Sequence, residues 1–234
     1  RRSSDLSSFL FFSFFIISLF YMNSNSAYTL VAVTALLLTG CGPSTFDEEN
    51  LCSIYESHPD WEQAVMKSEQ RWGIPQEMVM AVIRHESRFI GNAKAPRKRY
   101  LGFIPGPYRS TAYGYSQALD PTWKEYQQRT GNEEGERDHF PDAVDFVGWY
   151  LNRSHRSLQI PRNDGYHLYL AYHEGHRGFL RRDFENKPRI MRIASKVNNS
   201  QVSYRQQLQQ CRPDTLGKRN DRGKEKRFTL EINR

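Results

Sequence analysis

Cysteine is scarce in this chain: three in 234 residues, at positions 41, 52 and 211. None falls in the closely spaced pairs that a zinc module needs, so a cysteine-built metal fold is excluded. A glycine-rich phosphate loop is also missing, and basic residues do not alternate with aromatics on predicted strands, which argues against a nucleic-acid partner. Strand-like alternation is hard to find and no internal repeat is present. The two apolar runs, residues 9–20 and 27–39, each fall short of the about 20 residues of a membrane span. What is present is enough for one globular domain: 38% hydrophobic residues, of which many are aromatic. The formal net charge of +7 favours an anionic partner, such as an acidic membrane surface or a cell-wall polymer.

The second apolar run ends in Leu38-Thr39-Gly40-Cys41, small residues before a cysteine, and resembles the lipobox of a bacterial lipoprotein. That resemblance implies cleavage before Cys41, acylation of its thiol, and a membrane-anchored protein; one long uncleaved anchor is the alternative. Residues 1–41 are therefore expected to be a leader, with Met22 as the natural start and residues 1–21 as translated upstream sequence. Gly42 stands where an Asp would resemble an inner-membrane retention signal, so the periplasmic face of the outer membrane is expected. With Cys41 assigned to lipid, Cys52 and Cys211 remain as an even pair in an oxidising compartment. A disulfide joining the two ends of the domain is expected, with two free thiols as the alternative.

After a polar linker at 42–51, apolar residues recur at helical spacing over 52–211. One helix is expected from Asp60 as cap to Trp72, ended by Gly73. Another is opened by Pro75 at its first turn and runs to about Ser87. Further helices are expected over 121–129, 142–151 and 166–174. Between them, residues 91–110 are rich in Pro, Gly and the basic residues Lys94, Arg97, Lys98, Arg99 and Arg109, and read as a long loop. Residues 212–234 are polar, basic and too poor in apolar side chains to pack, so a disordered tail is expected.

Residues 79, 82, 83 and 86 follow the i, i+3, i+4, i+7 rule, and the last of them is Glu86. A carboxylate thus occupies a position where the helix calls for an apolar side chain. Burial would raise its pKa, as a general acid near neutral pH requires. An inward Glu paired with an Arg would leave the same pattern.

The stretch Ala81-Val82-Ile83-Arg84-His85-Glu86-Ser87-Arg88-Phe89 resembles the glutamate–serine helix end of lytic transglycosylases of the soluble-transglycosylase, goose-lysozyme-like type. Two more segments follow in that family's order. Ala112-Tyr113-Gly114-Tyr115-Ser116-Gln117 is similar to its Gly-Leu-Met-Gln segment at Gly114 and Gln117, with Tyr115-Ser116 in place of Leu-Met. Ala171-Tyr172-His173-Glu174-Gly175 is similar to its Ala-Tyr-Asn-x-Gly segment, with His173 in place of Asn.

The resemblance implies a mainly α, lysozyme-like domain with a substrate cleft and a long basic loop, acting as a monomer on peptidoglycan glycan strands without a cofactor. Glu86 would serve as single general acid and base, cleaving the β-1,4 bond between N-acetylmuramic acid and N-acetylglucosamine to leave 1,6-anhydro ends. Tyr172 would orient Glu86 or the substrate acetamido group. Ser87 and Gln117 would bind sugar substituents, Gly114 and Gly175 would allow close backbone packing at the cleft, and His173 would stand at the substrate. Tyr113, Tyr115 and Phe103 are candidates to stack on sugar rings, and the basic loop is either a clamp on peptidoglycan carboxylates or a solvated flap. Two other readings stay open. A second carboxylate, Asp120, Asp164 or Glu174, would make a hydrolytic lysozyme, and an inactive relative would be a peptidoglycan-binding lipoprotein. No metal site is expected: His167, His173 and His176 lie near Glu174, but Arg177 stands where a His-Glu-x-x-His motif needs its second His.

Overall fold

The computed structural model describes residues 46–212. The leader and Cys41 lie outside the described residues, as does all of the basic tail beyond Arg212. Seven helices and one hairpin are present among the described residues: α1 (Leu51–Ser57), α2 (Pro59–Trp72), α3 (Gln76–Ser87), β1 (Arg97–Tyr100), β2 (Ile104–Tyr108), α4 (Asp120–Thr130), α5 (Phe140–Leu158), α6 (Gly165–Leu180) and α7 (Pro188–Cys211). The mainly α class expected from the sequence is what forms. No described helix is long and apolar enough to cross a membrane.

Local chemistry accounts for most boundaries. Pro59 sits in the first turn of α2, where its missing N–H is not needed, and Gly73 ends that helix in the left-handed region at φ 71°. Trp61, Ala64, Val65 and Ser68 form the buried stripe of α2, which packs on α5. In α3 there is no stripe. Met78, Val79, Met80, Ala81, Val82 and Ile83 are all fully buried, because α2, α5 and α7 surround this helix. Burying each of its larger side chains contributes about 1.5–3 kcal/mol, so α3 is the axis of the core.

Several elements differ from the sequence expectation. Residues 91–110 are not simply a loop: β1 and β2 pair antiparallel, with an irregular register between Arg97 and Arg99. The helix expected at 142–151 extends to Phe140–Leu158. The longest helix, α7, was not anticipated, nor was α1. Residues 46–50, placed in the linker, pack on the domain: Phe46 meets the rings of His58, Trp61 and Phe89 edge-on, and Asn50 caps α1 by accepting from the Ser53 N–H. The expected disulfide is present, joining Cys52 in α1 to Cys211 at the end of α7 across 159 residues.

Candidate active site

Glu86 lies in the last turn of α3, where the helix leaves the core. Arg88 (φ 53°) and Phe89 (φ 61°) then turn the chain sharply. The Glu86 side chain enters a cavity of about 380 Å³ walled by Phe146 and Tyr150 of α5, Tyr172 and His173 of α6, and Gln117. Glu86 is half-buried and lines this cleft. Burial pushes its carboxyl up to about 7 from an ordinary 4.5, and a hydrogen bond from Tyr169 works in the opposite direction.

Glu77, nine residues earlier on the same helix, gives the contrast between an ion-paired inward glutamate and one without such a pair. Glu77 is fully buried and accepts from the Arg205 guanidinium at 2.9 Å, which is the structural ion pair. Glu86 forms no ion pair among the described residues; its recorded partner is the Tyr169 hydroxyl. A desolvated carboxyl without a cationic partner, facing a cavity, is available to give and take a proton near neutral pH.

The tyrosine hydroxyl hydrogen-bonded to Glu86 is that of Tyr169. The Tyr172 hydroxyl donates instead to the Ser116 carbonyl at 2.7 Å, so it ties the 113–118 loop to α6 while its ring lines the cavity. Ser116 Oγ is itself buried with no hydrogen-bond partner among the described residues. Gln117 has positive φ (50°), and its amide donates to the carbonyls of Ala93 (3.0 Å) and Gly114 (2.9 Å). It therefore bridges backbone while still lining the cavity. Gly114 needs to be glycine on two counts: its φ is 79°, and a Cβ there would stand 2.1 Å from the Arg137 carbonyl oxygen. Gly175 (φ 70°, ψ 161°) breaks α6 directly after Glu174 and lines the same cavity.

Other expected site residues are not brought to the cavity. Ser87 is buried and donates to the Ile83 carbonyl at 3.2 Å, so it closes the helix. Tyr115 packs edge-on against Trp61 and Phe140, where an aromatic cluster holds it. The Tyr113 hydroxyl donates to Asp138 at 2.7 Å. Phe103 is exposed at the hairpin tip. His173 does line the cavity, with Nδ1 at 3.1 Å from Glu174.

Of the rival carboxylates, Asp120 is paired with Arg137 at 2.8 Å and Asp164 caps α6. Glu174 lines the cavity, but its nearly buried side chain is held by Lys187 at 2.6 Å. The clustered histidines go to separate partners, His167 to Asp164 and His176 to Ser154. No group of three or more His, Cys, Asp or Glu that could hold a metal is found among the described residues. Another cavity, of about 440 Å³, lies between Trp72, Trp149, Arg129, Arg153 and Arg156. It has no carboxylate in its lining and therefore no acid.

No curated protein sequence matches the chain. The family model described as "Transglycosylase SLT domain" matches residues 29–211, which takes in α3, the 113–118 loop and α6, the three segments that meet at the cavity. The fold and the segments around Glu86 are thus those of one family, and the chain belongs to it: it is a member of the SLT-domain lytic transglycosylases, which act on peptidoglycan.

Proposed function

We propose that this protein cleaves the β-1,4 bond between N-acetylmuramic acid and N-acetylglucosamine by a single-carboxylate mechanism, leaving 1,6-anhydro-muramoyl ends. The observation that carries this reading is the Glu86 carboxyl, desolvated, without an arginine or lysine ion pair among the described residues, and lining the cleft. Protonated Glu86 donates to the bridging oxygen as the C1–O bond breaks. The substrate's acetamido group stabilises the cationic C1. Ionised Glu86 then removes the proton from the muramoyl 6-hydroxyl, whose oxygen closes on C1. Glu86 is returned to its protonated state and no water is consumed.

Two-carboxylate hydrolysis needs a second, free carboxylate as nucleophile or base. Glu174 is the one rival that reaches the cavity, and Lys187 and His173 already occupy its oxygens. That supports the lyase reading over a lysozyme. An intact, pKa-shifted Glu86 supports an enzyme over a non-catalytic wall-binding protein. The cellular setting we propose is a monomeric lipoprotein held through Cys41 at the periplasmic face of the outer membrane, with the lipobox-like Leu38-Thr39-Gly40-Cys41 as its support.

The pH profile tests the assignment of Glu86 as acid. Catalysis needs its protonated form, so release of soluble fragments from purified sacculi is expected to fall as pH rises through about 7. Tyr169 donates to the ionised carboxylate, so Tyr169→Phe is expected to move that alkaline limb to higher pH, while lowering the rate at pH 6 only a few-fold (about 2–5). A limb that stays in place in the variant would remove Tyr169 from this role, and a profile flat from pH 5 to 9 would remove Glu86.

A further inference from the structure

The hairpin β1–β2 stands out from the rest of the surface. Nine large hydrophobic residues are exposed among the described residues, and five of them lie within 100–108: Leu101 (82%), Phe103 (74%), Tyr100 (55%), Ile104 (43%) and Tyr108 (41%). Burial elsewhere does not explain this apolar group, since no other described element covers it. Leu101 and Gly102 both have positive φ, 51° and 80°, so the chain turns tightly and the apolar side chains crown a convex tip.

The charge around the tip has one sign. No Asp or Glu occurs between Glu86 and Asp120, while Lys94, Arg97, Lys98, Arg99 and Arg109 all fall in that interval. The four residues of β1 are exposed. Arg97 lies over the Tyr108 ring at 4.6 Å, which keeps a cation and an aromatic ring together at the foot of the apolar crown. An exposed apolar tip ringed by basic and tyrosine side chains has the chemistry of the bilayer interface: apolar groups enter below the headgroups, tyrosines sit at their level, and cations meet lipid phosphates.

We propose that this hairpin docks on an anionic lipid bilayer, inserting Leu101, Phe103 and Ile104 and setting its basic residues against lipid phosphates. A glycan strand is the poorer occupant. Sugars are bound in concave sites with aromatic faces and hydrogen-bonding side chains, whereas this tip is convex and its most exposed residue is aliphatic. The contact is separate from any anchor at Cys41 and from the cleavage chemistry. Its feet, Ala95, Pro96 and Ser110, line the Glu86 cavity, so docking sets the mouth of the cleft at a fixed height above the lipid surface.

Hydrogen–deuterium exchange of the full chain reads this segment independently of any other membrane contact. With vesicles of phosphatidylcholine and phosphatidylglycerol, exchange in 97–108 is expected to slow by about tenfold, and high salt is expected to restore it. In Leu101→Asp/Phe103→Asp the slowing is expected to vanish, while exchange in α3 and α5 stays as in the parent, because these exposed side chains hold no part of the core. Three results would overturn the proposal: no slowing with anionic vesicles, equal slowing with phosphatidylcholine alone, or slowing with purified glycan strands and not with vesicles. None of these readouts uses the cleavage reaction, so failure here leaves the reading of Glu86 untouched.

Discussion

Glu86→Gln is expected to abolish the release of fragments from sacculi, by about a thousandfold or more, and at the same time to make the protein more stable above pH 7. The first effect follows from a mechanism in which one carboxyl makes both proton transfers, since each positioned acid or base step is worth about 10²–10⁴-fold. The second follows from linkage. The carboxyl is raised to about 7 in the fold from an ordinary 4.5, so the folded state binds a proton more tightly than the unfolded chain. Its contribution to stability is complete below pH 4.5 and is lost as pH rises through about 7. At pH 8 an ionised Glu86 therefore weakens the fold by about 2–3 kcal/mol relative to a neutral isostere, after allowance for its opening to the cleft. Thermal unfolding at pH 8 should show the Gln variant melting roughly 5–10 °C higher, with little difference from the parent at pH 4. A residue that mattered only for folding would give the opposite sign. Loss of activity accompanied by loss of stability at pH 8 would count against a strained catalytic carboxyl.

Replacing Cys52 and Cys211 together by Ser is expected to cost about 4–5 kcal/mol, the largest stability effect of any change outside the core. The bond closes a loop of 159 residues, so it removes much of the conformational freedom of the unfolded chain. It also ties α1 to the end of α7, the helix that packs on α1, α3 and α6. The melting temperature should fall by roughly 10–15 °C, and thiol reductant should produce the same shift in the parent protein. Neither cysteine lines the Glu86 cavity, so the rate of cleavage at low temperature should be close to the parent's. A variant with an unchanged melting temperature would show that the packing of α7 alone closes the domain.

Glu86 was legible in the sequence, but partly for the wrong physical reason. The i, i+3, i+4, i+7 pattern suggested one apolar stripe, whereas α3 is buried on all sides and the carboxyl emerges at its end. Periodicity cannot tell a catalytic from an ion-paired glutamate, and Glu77 with Arg205 shows the second kind on the same helix. The order of motifs was more informative: Gly114, Gln117, Tyr172 and Gly175, named from three separate segments, line the cavity or pack at its edge.

Tyr169 escaped notice because an aromatic residue beside Leu168 reads as core. Its spacing of three from Tyr172 was the available signal, since residues at i and i+3 share a helix face. Ser87 and Tyr115 were named with the motifs they belong to, yet one ends a helix and the other fills an aromatic cluster. The helix α7 was hidden by polar residues at buried positions. Ser200 bonds Arg84, and Gln201 bonds the Asn163 carbonyl, so both interrupt the apolar repeat that would have marked the helix. The hairpin was concealed by Pro105 and Pro107, which a strand tolerates at an exposed edge.

The most direct test of the central claim is the product formed in oxygen-labelled water. Sacculi digested by the purified protein, with the fragments analysed by mass spectrometry, are expected to yield muropeptides that carry no label and are lighter by one water than their reducing counterparts. Reducing ends that carry one labelled oxygen would contradict the single-carboxylate lyase mechanism and assign the protein as a hydrolase.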